Sequence, residues 1–269
     1  MKKVVVITGA SSGIGKALAY EYADKGYRVV LGARNLEKLQ EIQKDLSQKG
    51  CEAFVVKTDV SNEEDCKNLI EQTVEKYQSI DILINNAGIS MKALFKDVDL
   101  IVFKRLMDVN FWGTVFCTKY ALPYLLKSKG SIVGVVSVAA FIGLPARSAY
   151  SASKYAIRGF LDTLRVENLK TGLHVLVAAP GYTSSNIRNT ALVEDGSPQG
   201  GSPRDEDNMM SSEEVAKRIY KAVNRKQAEL VLTFKEGKLS VFLKKTFPRL
   251  LDKLTYSFLS KEAGTPLSK

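Results

Sequence analysis

The stretch KVVVITGASSGIG, residues 3–15, joins a short apolar run to a cluster of glycines. The apolar run predicts a buried strand, and the amphipathic residues that follow predict a helix from about Gly13 to Lys25. Glycines at 9, 13 and 15 allow a tight turn, a close approach of the backbone to a pyrophosphate, and close packing of helix on strand. Because amides at the start of a helix attract phosphate groups, the stretch favours a dinucleotide site. A glycine-rich turn without a ligand is the alternative at this point, since the spacing is G-x-x-x-G-x-G rather than G-x-G-x-x-G.

Further along the chain, apolar strand-like segments alternate with amphipathic helical ones. Near-continuous Val and Ile runs indicate strands that are buried on both faces, and hence a parallel sheet with helices on each side. The predicted strands are KVVVITG, RVVLGA, CEAFVVKTDV, DILINNAG, SIVGVVSV, HVLVAAPG and AELVLTF. Helices are predicted at about 13–25, 35–49, from 62, at 111–127, 150–170 and 212–224. The fold class is therefore α/β, with a single doubly wound parallel sheet of Rossmann type.

Two regions are expected in the 269-residue chain. Residues 1–235 form a dinucleotide-binding and catalytic domain, and residues 236–269 form a basic amphipathic helical extension. A substrate loop is expected at about 184–211, because VEDGSPQGGSPRDEDN at 193–208 is rich in Gly, Ser and Pro.

Composition excludes several kinds of protein. Three scattered cysteines, Cys51, Cys66 and Cys117, suggest buried thiols in a reducing compartment rather than disulfides or metal ligands. The single histidine, His174, leaves no basis for a metal cluster or a Ser-His-Asp hydrolase. The chain contains no apolar run of about 18 residues, so we expect no spanning helix. The apolar run after the first two lysines is too short for a signal peptide. These points predict a cytoplasmic protein without a metal.

The chain is basic, with a formal net charge of +10 at pH 7. A basic balance is compatible with nucleic acid, an anionic membrane surface or a phosphorylated ligand. The excess is confined to the C-terminal extension and the region of Arg34, and no nucleic-acid recognition motif is present. We therefore expect no nucleic-acid partner.

The end of the second strand bears on cofactor choice. Sites specific for NAD usually place an acid there, which binds the adenosine ribose 2′-hydroxyl. This chain has Ala33 and then Arg34 in the segment VVLGARN. A guanidinium can bind a 2′-phosphate, which a carboxylate would repel. NADP(H) is therefore predicted rather than NAD(H), with Asp59 and Val60 at the end of strand three flanking the adenine.

The segment AYSASKYAIRGF, residues 149–160, places Lys154 four positions after Tyr150. On a helix this spacing brings both side chains to one face, one turn apart. An ammonium beside a phenol favours the phenolate, so the pKa of the tyrosine would fall toward neutrality. The alternative is two ordinary helix residues, a packed ring and a solvated lysine. Of the eleven tyrosines, only Tyr150 has a lysine at that offset.

Several motifs in order resemble the short-chain dehydrogenases/reductases. They are the glycine stretch Thr8–Gly15, NNAG at 85–88, Asn110 in VNFWG, Ser137, YSASK at 150–154, and Pro180-Gly181. The resemblance covers about residues 3–185 and implies an oxidoreductase. It also implies an oligomer, a homodimer or homotetramer formed through the helices near 111–127 and 150–170.

The resemblance implies roles for individual residues. Ser137 and Tyr150 would hydrogen-bond the carbonyl oxygen of a substrate, and Tyr150 would act as general acid or base. Lys154 would hold the nicotinamide ribose and lower the pKa of the tyrosine, and Asn110 would hold a water of a proton relay. The family commonly has threonine where this chain has Ser185, so either Thr183 or Ser185 would contact the carboxamide. The predicted cofactor contacts are Thr8, Gly9, Ser11, Ser12, Gly13, Ile14, Gly15, Arg34, Asp59, Val60, Asn86, Ala87, Gly88, Tyr150, Lys154, Pro180, Gly181, Thr183 and Ser185.

The C-terminal extension carries an apolar stripe at helical spacing. Residues 235–261 contain seven basic and two acidic residues, and Pro248 should kink or divide the helix. Such a helix either lies in a membrane interface, on the cytoplasmic face, or packs on its own or a partner subunit. The extension makes the chain resemble the membrane-associated branch of the family, which acts on lipophilic carbonyls or alcohols. Together with the loop at 193–208, it is expected to form or cover a hydrophobic substrate cleft.

The sequence thus predicts an NADP(H)-dependent oxidoreductase that interconverts a carbonyl and an alcohol on a lipophilic small molecule. Two alternatives are a 3-oxoacyl-thioester reductase and a non-catalytic NADP(H)-binding sensor or scaffold of the same fold. Intact Ser137, Tyr150, Lys154 and Asn110 argue against the sensor, because a protein that only binds needs no tuned phenol.

Overall fold

The computed structural model of the chain describes residues 2–201, 209–262 and 264–268, and a seven-stranded parallel sheet lies at its centre. The strands are β1 (Val4–Thr8), β2 (Arg28–Ala33), β3 (Ala53–Lys57), β4 (Ile82–Asn85), β5 (Ser131–Val135), β6 (His174–Ala179) and β7 (Glu229–Val231). Their order across the sheet is β3-β2-β1-β4-β5-β6-β7, and each neighbouring pair is parallel. The predicted doubly wound sheet is confirmed.

Helices cover both faces of the sheet. They are α1 (Gly13–Asp24), α2 (Leu36–Gln48), α3 (Glu63–Tyr77), α4 (Leu100–Leu106), α5 (Gly113–Ser128), α6 (Ser148–Glu167), α7 (Ser212–Asn224), α8 (Ser240–Thr246) and α9 (Pro248–Leu259). The side chain of Asn35 caps α2 by accepting from the Lys38 amide, and that of Asn62 caps α3 by accepting from the Glu64 amide. Short polar residues at these two positions therefore determine where the helices begin.

Two hydrophobic layers hold the helices to the sheet. Because side chains alternate along a strand, Val4 and Val6 of β1 face one layer, and Val5 and Ile7 face the other. The first layer includes residues of α3, α5 and α6, and the second includes residues of α1, α2 and α7. Strands buried on both faces explain why the sequence shows continuous apolar runs instead of alternation.

The region before α5 differs from the prediction, which began a helix at Phe111. Helix α4 leads into a π-helical segment, Met107–Trp112, which then continues as α5. A π-helical turn holds one residue more than an α-helical turn, and such turns often occur at functional sites. Here the segment contains Asn110, whose side chain is fully buried.

The order of the strands reverses at β1, which lies between β2 and β4. Connections leave the carboxyl ends of β1 and β4 in opposite directions, and this separation opens a crevice at that edge of the sheet. In open parallel sheets ligands bind at such a position. The fold therefore places the glycine-rich turn after β1 at the point where a ligand is expected.

The C-terminal extension folds as two helices. Phe247 separates α8 from α9, and Pro248 is the first residue of α9, so the predicted division at Pro248 is confirmed. Helix α9 packs on the rest of the protein through Leu251 and Leu259, which are buried. In the parts of the chain that the structure describes, no helix is long and apolar enough to cross a bilayer. Residues 202–208 of the predicted substrate loop lie outside the described residues.

Candidate active site

One cavity of about 970 Å³ collects most of the residues that the sequence singled out. It runs along the carboxyl edge of the sheet, from the end of β2 past β1, β4, β5 and β6. The predicted residues that line it are Gly9, Ser11, Ser12, Gly13, Ile14, Arg34, Asp59, Val60, Asn86, Ala87, Gly88, Ser137, Tyr150, Lys154, Pro180, Gly181, Thr183 and Ser185. Thr8, Gly15 and Asn110 are not among the lining residues, and each is buried behind the wall.

Thr8 joins the ends of β1 and β4. Its hydroxyl oxygen accepts from the backbone amides of Asn86 (3.0 Å) and Ala87 (3.1 Å). The side-chain amide of Asn86 in turn donates to the backbone oxygen of Thr8 at 3.0 Å. These bonds hold the loop after β4 against the glycine-rich turn, so that both segments face the cavity.

Two glycines of the turn are needed because other backbone segments pass very close to their Cα atoms. Gly9 has a φ of +66°, and a Cβ on it would lie 2.8 Å from the Cα of Ala87. A Cβ on Gly15 would collide with the backbone oxygen of Gly9. The result is a shallow cradle of backbone at the start of α1. Such a cradle fits the pyrophosphate of a dinucleotide, because the partial positive charge of the helix start faces it.

The adenosine end of the cavity lies at the ends of β2 and β3. Arg34 is exposed there, and the position before it is the buried Ala33 rather than an acid. Asp59 also lines this end, but one of its carboxylate oxygens accepts from the amide and the hydroxyl of Ser61 at 3.0 and 2.7 Å. Arg34 is therefore the charged side chain at this end that is available to a phosphate group.

Ser137, Tyr150 and Lys154 meet at the middle of the cavity. Ser137 follows β5, and its hydroxyl and the phenol of Tyr150 on α6 line the same cavity, close enough for Ser137 to lower the pKa of the phenol. The ammonium of Lys154 lies 5.7 Å from the centre of the Tyr150 ring. It donates to the backbone oxygen of Val135 at 3.0 Å. The structure thus brings together the three side chains that the sequence placed in one group.

Burial controls the titration of this group. The side chain of Lys154 is removed from water, and this burial lowers its pKa to about 8. Burial raises the pKa of Tyr150, whereas the hydrogen bond from Ser137 and the positive charge of Arg147 lower it. The net direction is upward, so the prediction that the phenol pKa falls toward neutrality is wrong for the protein groups by themselves. The reason is that removing a phenolate from water outweighs its neighbours.

Asn110 holds the loop after β4 in place. Its side-chain oxygen accepts from the Ile89 amide at 2.8 Å, and its amide donates to the Ile89 oxygen and to the Ser153 hydroxyl, at 3.0 and 2.9 Å. A Cβ on Gly88 would lie 3.1 Å from that same side-chain oxygen and 3.4 Å from the Lys154 ammonium. Asn110 therefore positions the loop beside Lys154. Its expected role in holding a water stays a prediction.

The loop after β6 closes over the glycine-rich turn. A Cβ on Gly13 would lie 3.2 Å from the Cβ of Ser185, and both Thr183 and Ser185 line the cavity. The hydroxyl of Thr183 donates to the Gly181 oxygen at 3.3 Å. The serine that replaces the expected threonine thus lies at the dinucleotide side of the cavity, and the contact with a carboxamide stays a prediction for either residue.

The far end of the cavity is mainly apolar and was only partly foreseen. Helices α8 and α9 contribute to its wall, and the expectation that this end is a substrate cleft stays a prediction. The sequence did not single out Arg105, Val109 and Arg147, although Arg147 precedes Tyr150 by three residues. The residues of this end include Ile142, Leu144, Ile187, Leu192, Leu239, Leu243, Leu251, Leu254, Phe258 and Leu259.

The fold and the site together define a nucleotide-binding oxidoreductase of the α/β class. Residues 3–195 match the family model described as short chain dehydrogenase. The chain is 40% identical over 234 residues to the 11-beta-hydroxysteroid dehydrogenase-like 2 of Arabidopsis thaliana, covering 85% of this chain and 73% of that protein. Some other plant hydroxysteroid dehydrogenases are longer, and the chain spans 53% of the one from Sesamum indicum. The chain belongs to the short-chain dehydrogenase/reductase family, whose members act on small molecules.

Solved structures agree with the fold. An alcohol dehydrogenase of the archaeon Thermococcus sibiricus, complexed with 5-hydroxy-NADP, superimposes with a TM-score of 0.74 at 25% identity, covering 86% of this chain and 94% of that one. A short-chain dehydrogenase/reductase of Burkholderia phymatum, in complex with NAD, has a TM-score of 0.83 at 24% identity, covering 93% and 95%. The two proteins hold different dinucleotides, so the likeness does not distinguish NADP from NAD.

The buried ammonium of Lys154 predicts a change in stability. Its usual pKa of 10.5 falls to about 8 in the folded protein. As pH decreases from 10.5 to 8, the unfolded chain takes up a proton that the folded protein does not, so folding becomes less favourable. At pH 7 we therefore expect Lys154→Met to raise the free energy of unfolding by about 1–3 kcal/mol, measured by urea denaturation without added nucleotide.

The increase in the free energy of unfolding caused by Lys154→Met should become smaller as pH rises from 8 toward 10, because Lys154 is then neutral in the folded parent protein as well. Lys44→Met, at an exposed position of α2, is the matched control and should change stability by less than about 0.5 kcal/mol at each pH. A Lys154→Met protein that is less stable than the parent at pH 7 would contradict the burial cost.

Proposed function

We propose that the protein is an NADP(H)-dependent oxidoreductase that interconverts a carbonyl and an alcohol on a lipophilic substrate, with Tyr150 as general acid/base. The observation that carries this proposal is the meeting of Ser137, Tyr150 and Lys154 in one cavity. On one side of these residues lies the glycine-rich turn, and on the other lies an apolar wall. A substrate bound against that wall would have its reacting oxygen beside the phenol.

Each of the three side chains has a distinct part in the proposed reaction. The hydroxyls of Ser137 and Tyr150 would donate hydrogen bonds to the carbonyl oxygen, and Tyr150 would pass its proton to that oxygen. Lys154, whose ammonium donates to the Val135 oxygen, would also bind the ribose hydroxyls of the nucleotide. When bound beside these residues, a nicotinamide dinucleotide would supply the hydride for the carbonyl carbon. The alcohol would form without any charge left on the substrate oxygen.

The titration of Tyr150 favours the direction of carbonyl reduction. The usual pKa of a tyrosine, 10.0, is already well above neutral and burial raises it further, so the phenol of Tyr150 is protonated at neutral pH. A proton donor must be in that state before the reaction begins. In the reverse direction the phenolate has to form first, which places alcohol oxidation at higher pH.

The choice of NADP(H) is supported by the charge at the end of β2. Arg34 is exposed and lines the cavity, and Ala33 leaves no carboxylate at the position where it would repel a 2′-phosphate. A guanidinium can bind phosphate oxygens through paired, charge-assisted hydrogen bonds.

The choice of a lipophilic substrate is supported by the composition of the far wall. Leucines of α8 and α9 and one phenylalanine, Phe258, line this end together with aliphatic residues that follow β5 and β6. Burying apolar surface of a ligand there is favourable by about 25 cal/mol per Å². The relative of Arabidopsis thaliana is named 11-beta-hydroxysteroid dehydrogenase-like 2, which agrees with this substrate class. A 3-oxoacyl thioester also carries an apolar chain, so it belongs in the same panel of test substrates.

We also propose a peripheral location on the cytoplasmic face of a membrane. Phe242, Phe247 and Leu250 do not line the cavity and are 57%, 59% and 49% exposed. Exposed Lys245, Arg249 and Lys253 lie beside them in sequence. Apolar side chains bordered by basic ones are typical of helices that lie in the interface of an anionic membrane.

We also propose that the protein forms a homodimer or a homotetramer through the exposed surface of α5 and α6. Trp112, just before α5, and Tyr155 and Val166 of α6 are 45%, 40% and 61% exposed, and Trp112 stacks on Phe116 of α5 with ring centres 5.6 Å apart. Burying these side chains against a second copy would remove them from water.

The first test of the proposed function is Tyr150→Phe. We expect turnover of ketones with NADPH to fall by about 10³-fold, because the ring stays but the transferable proton is lost. Nucleotide affinity, measured by fluorescence titration with NADPH, should stay within about threefold of the parent. The assay follows NADPH absorbance with a panel of ketones and a 3-oxoacyl thioester. Activity within tenfold of the parent would contradict the role of Tyr150, and a parent protein that binds NADPH but turns over nothing would favour the sensor.

A second test concerns the 2′-phosphate. We expect Arg34→Asp to move the ratio of NADPH to NADH affinity toward NADH by about 100-fold, because attraction is replaced by repulsion. Lys38→Asp is the matched control, since Lys38 is exposed on α2 but does not line the cavity. Equal ratios in the parent and in Arg34→Asp would rule out the contact.

A third test concerns the membrane. Vesicles containing phosphatidylserine should sediment the parent protein, and the double variant Phe242→Ser with Phe247→Ser should bind at least about tenfold more weakly. The control is Leu100→Ser with Ile101→Ser on α4, where the side chains are 73% and 66% exposed. If both double variants lose vesicle binding to a similar extent, or neither loses it, the extension is not the membrane-binding surface.

A further inference from the structure

A buried glutamate follows the last long helix. Glu262 lies three residues after the end of α9, and its side chain is 3% exposed. One of its carboxylate oxygens lies 3.5 Å from a guanidinium nitrogen of Arg147 and 4.0 Å from the ammonium of Lys92. Those two side chains are 13% and 7% exposed. One acid and two basic residues thus form an ion cluster that is largely removed from water.

The three residues come from separate segments around the substrate end of the cavity. Lys92 lies in the loop after β4, where its backbone amide donates to the Leu192 oxygen at 2.8 Å. Arg147 immediately precedes α6, and the amide of Ala93 donates to the Ala146 oxygen at 3.0 Å. Arg147 and Leu192 line the cavity, as does Leu259 at the end of α9. The ion cluster therefore joins the extension to the two loops that form the opposite wall.

The backbone at this junction is itself unusual. Ala146 has a φ of +60°, a region that residues other than glycine rarely occupy. This conformation directs the chain into Arg147 and then into α6, which carries Tyr150. Backbone strain of this kind is maintained only where the surroundings hold it, and it occurs often at functional sites.

The cluster is placed to keep α9 against the body of the protein. The inner face of α9 contributes Leu251, Leu254, Phe258 and Leu259 to the cavity wall. The ion pair between Lys244 and Asp252, at 3.9 Å, joins α8 to α9 and not to the body. Glu262 connects to the body at the end of the helix. If its charge were removed, Arg147 would lose an ion-pair partner at a position largely removed from water, which is unfavourable. Movement of α9 and the residues after it would let water reach both cations.

We propose that Glu262 is a positioning residue that determines substrate size: by pairing with Arg147 and Lys92 it holds α9 closed over the cavity. Substrates long enough to reach α9 then bind tightly, whereas small ones gain nothing from it. This inference rests on the proposed function for its kinetic consequence, but the closed state of α9 can be measured without any turnover.

The first measurement is hydrogen exchange of the amides of α9, residues 248–259, in Glu262→Gln. We expect exchange about tenfold faster or more than in the parent, with the amides of β1 unchanged. Glu262→Asp keeps the charge and should restore most of the protection. Asp252→Asn is the matched control, because Asp252 lies on α9 but its side chain is 69% exposed. Unchanged exchange in Glu262→Gln would overturn the proposal.

The second measurement is the KM for a series of 2-alkanones, from 2-butanone to 2-dodecanone, with saturating NADPH. In the parent, KM should fall with each added methylene, since each one buries apolar surface. In Glu262→Gln the fall should stop once the chain is long enough to reach α9, leaving KM for 2-dodecanone about tenfold higher or more, while kcat and the KM for 2-butanone stay within about twofold. If the amides of α9 exchange faster in Glu262→Gln but KM depends on chain length as it does in the parent, Glu262 does not determine substrate size.

Two outcomes separate this inference from the proposed function. If the parent turns over no ketone, the proposed function fails, and the exchange data alone decide whether Glu262 holds α9. If Glu262→Gln does not fold, judged by the loss of protection in β1, Lys92→Gln replaces it, because that variant removes the more distant cation and leaves the acid paired with Arg147. Slower or unchanged exchange of α9 in Lys92→Gln would then overturn the proposal.

Discussion

The close approach of β1 and β4 at their carboxyl ends is the constraint on which the site depends. Thr8 accepts from two amides of the loop after β4, and Gly9 has no side chain to hold that loop away. The same loop carries Gly88, which leaves room for the Lys154 ammonium. It also carries Ile89, whose backbone amide and backbone oxygen are both hydrogen-bonded to the side chain of Asn110. A threonine, two glycines and an asparagine thus determine where the dinucleotide half of the cavity meets the catalytic half.

Function in this cavity has a cost in stability. The ammonium of Lys154 is buried and donates to the backbone oxygen of Val135, and its pKa falls to about 8. Burial also raises the pKa of the Tyr150 phenol above its usual value. Neither arrangement helps the chain to fold, because burying a charge or a weakly paired polar group is unfavourable. Both make sense in a site that has to hold a proton at one atom and a positive charge one helical turn away.

The sequence predicted the sheet, the helices and the central side chains because local patterns determine them. Buried parallel strands produce apolar runs, and the residues after such strands meet at one edge, which is why Ser137 and Gly9 could be placed together. The predicted downward shift of the Tyr150 pKa was wrong, because the spacing of residues along a helix does not show how far the folded site is shielded from water. The contacts of Asn110 with Ile89 and Ser153, and of Glu262 with Arg147, join residues far apart in sequence. No local pattern reports such pairs.

The π-helical segment Met107–Trp112 leaves this region with little tolerance for a change in chain length. Loss of a single residue there would allow the backbone to relax into an uninterrupted α-helix, which is intrinsically the more favourable form. That relaxation would rotate the residues on one side of the deletion by about 100° around the helix axis. Asn110 would turn away from Ile89, so a codon deletion that improves local geometry would dismantle the support beneath Lys154.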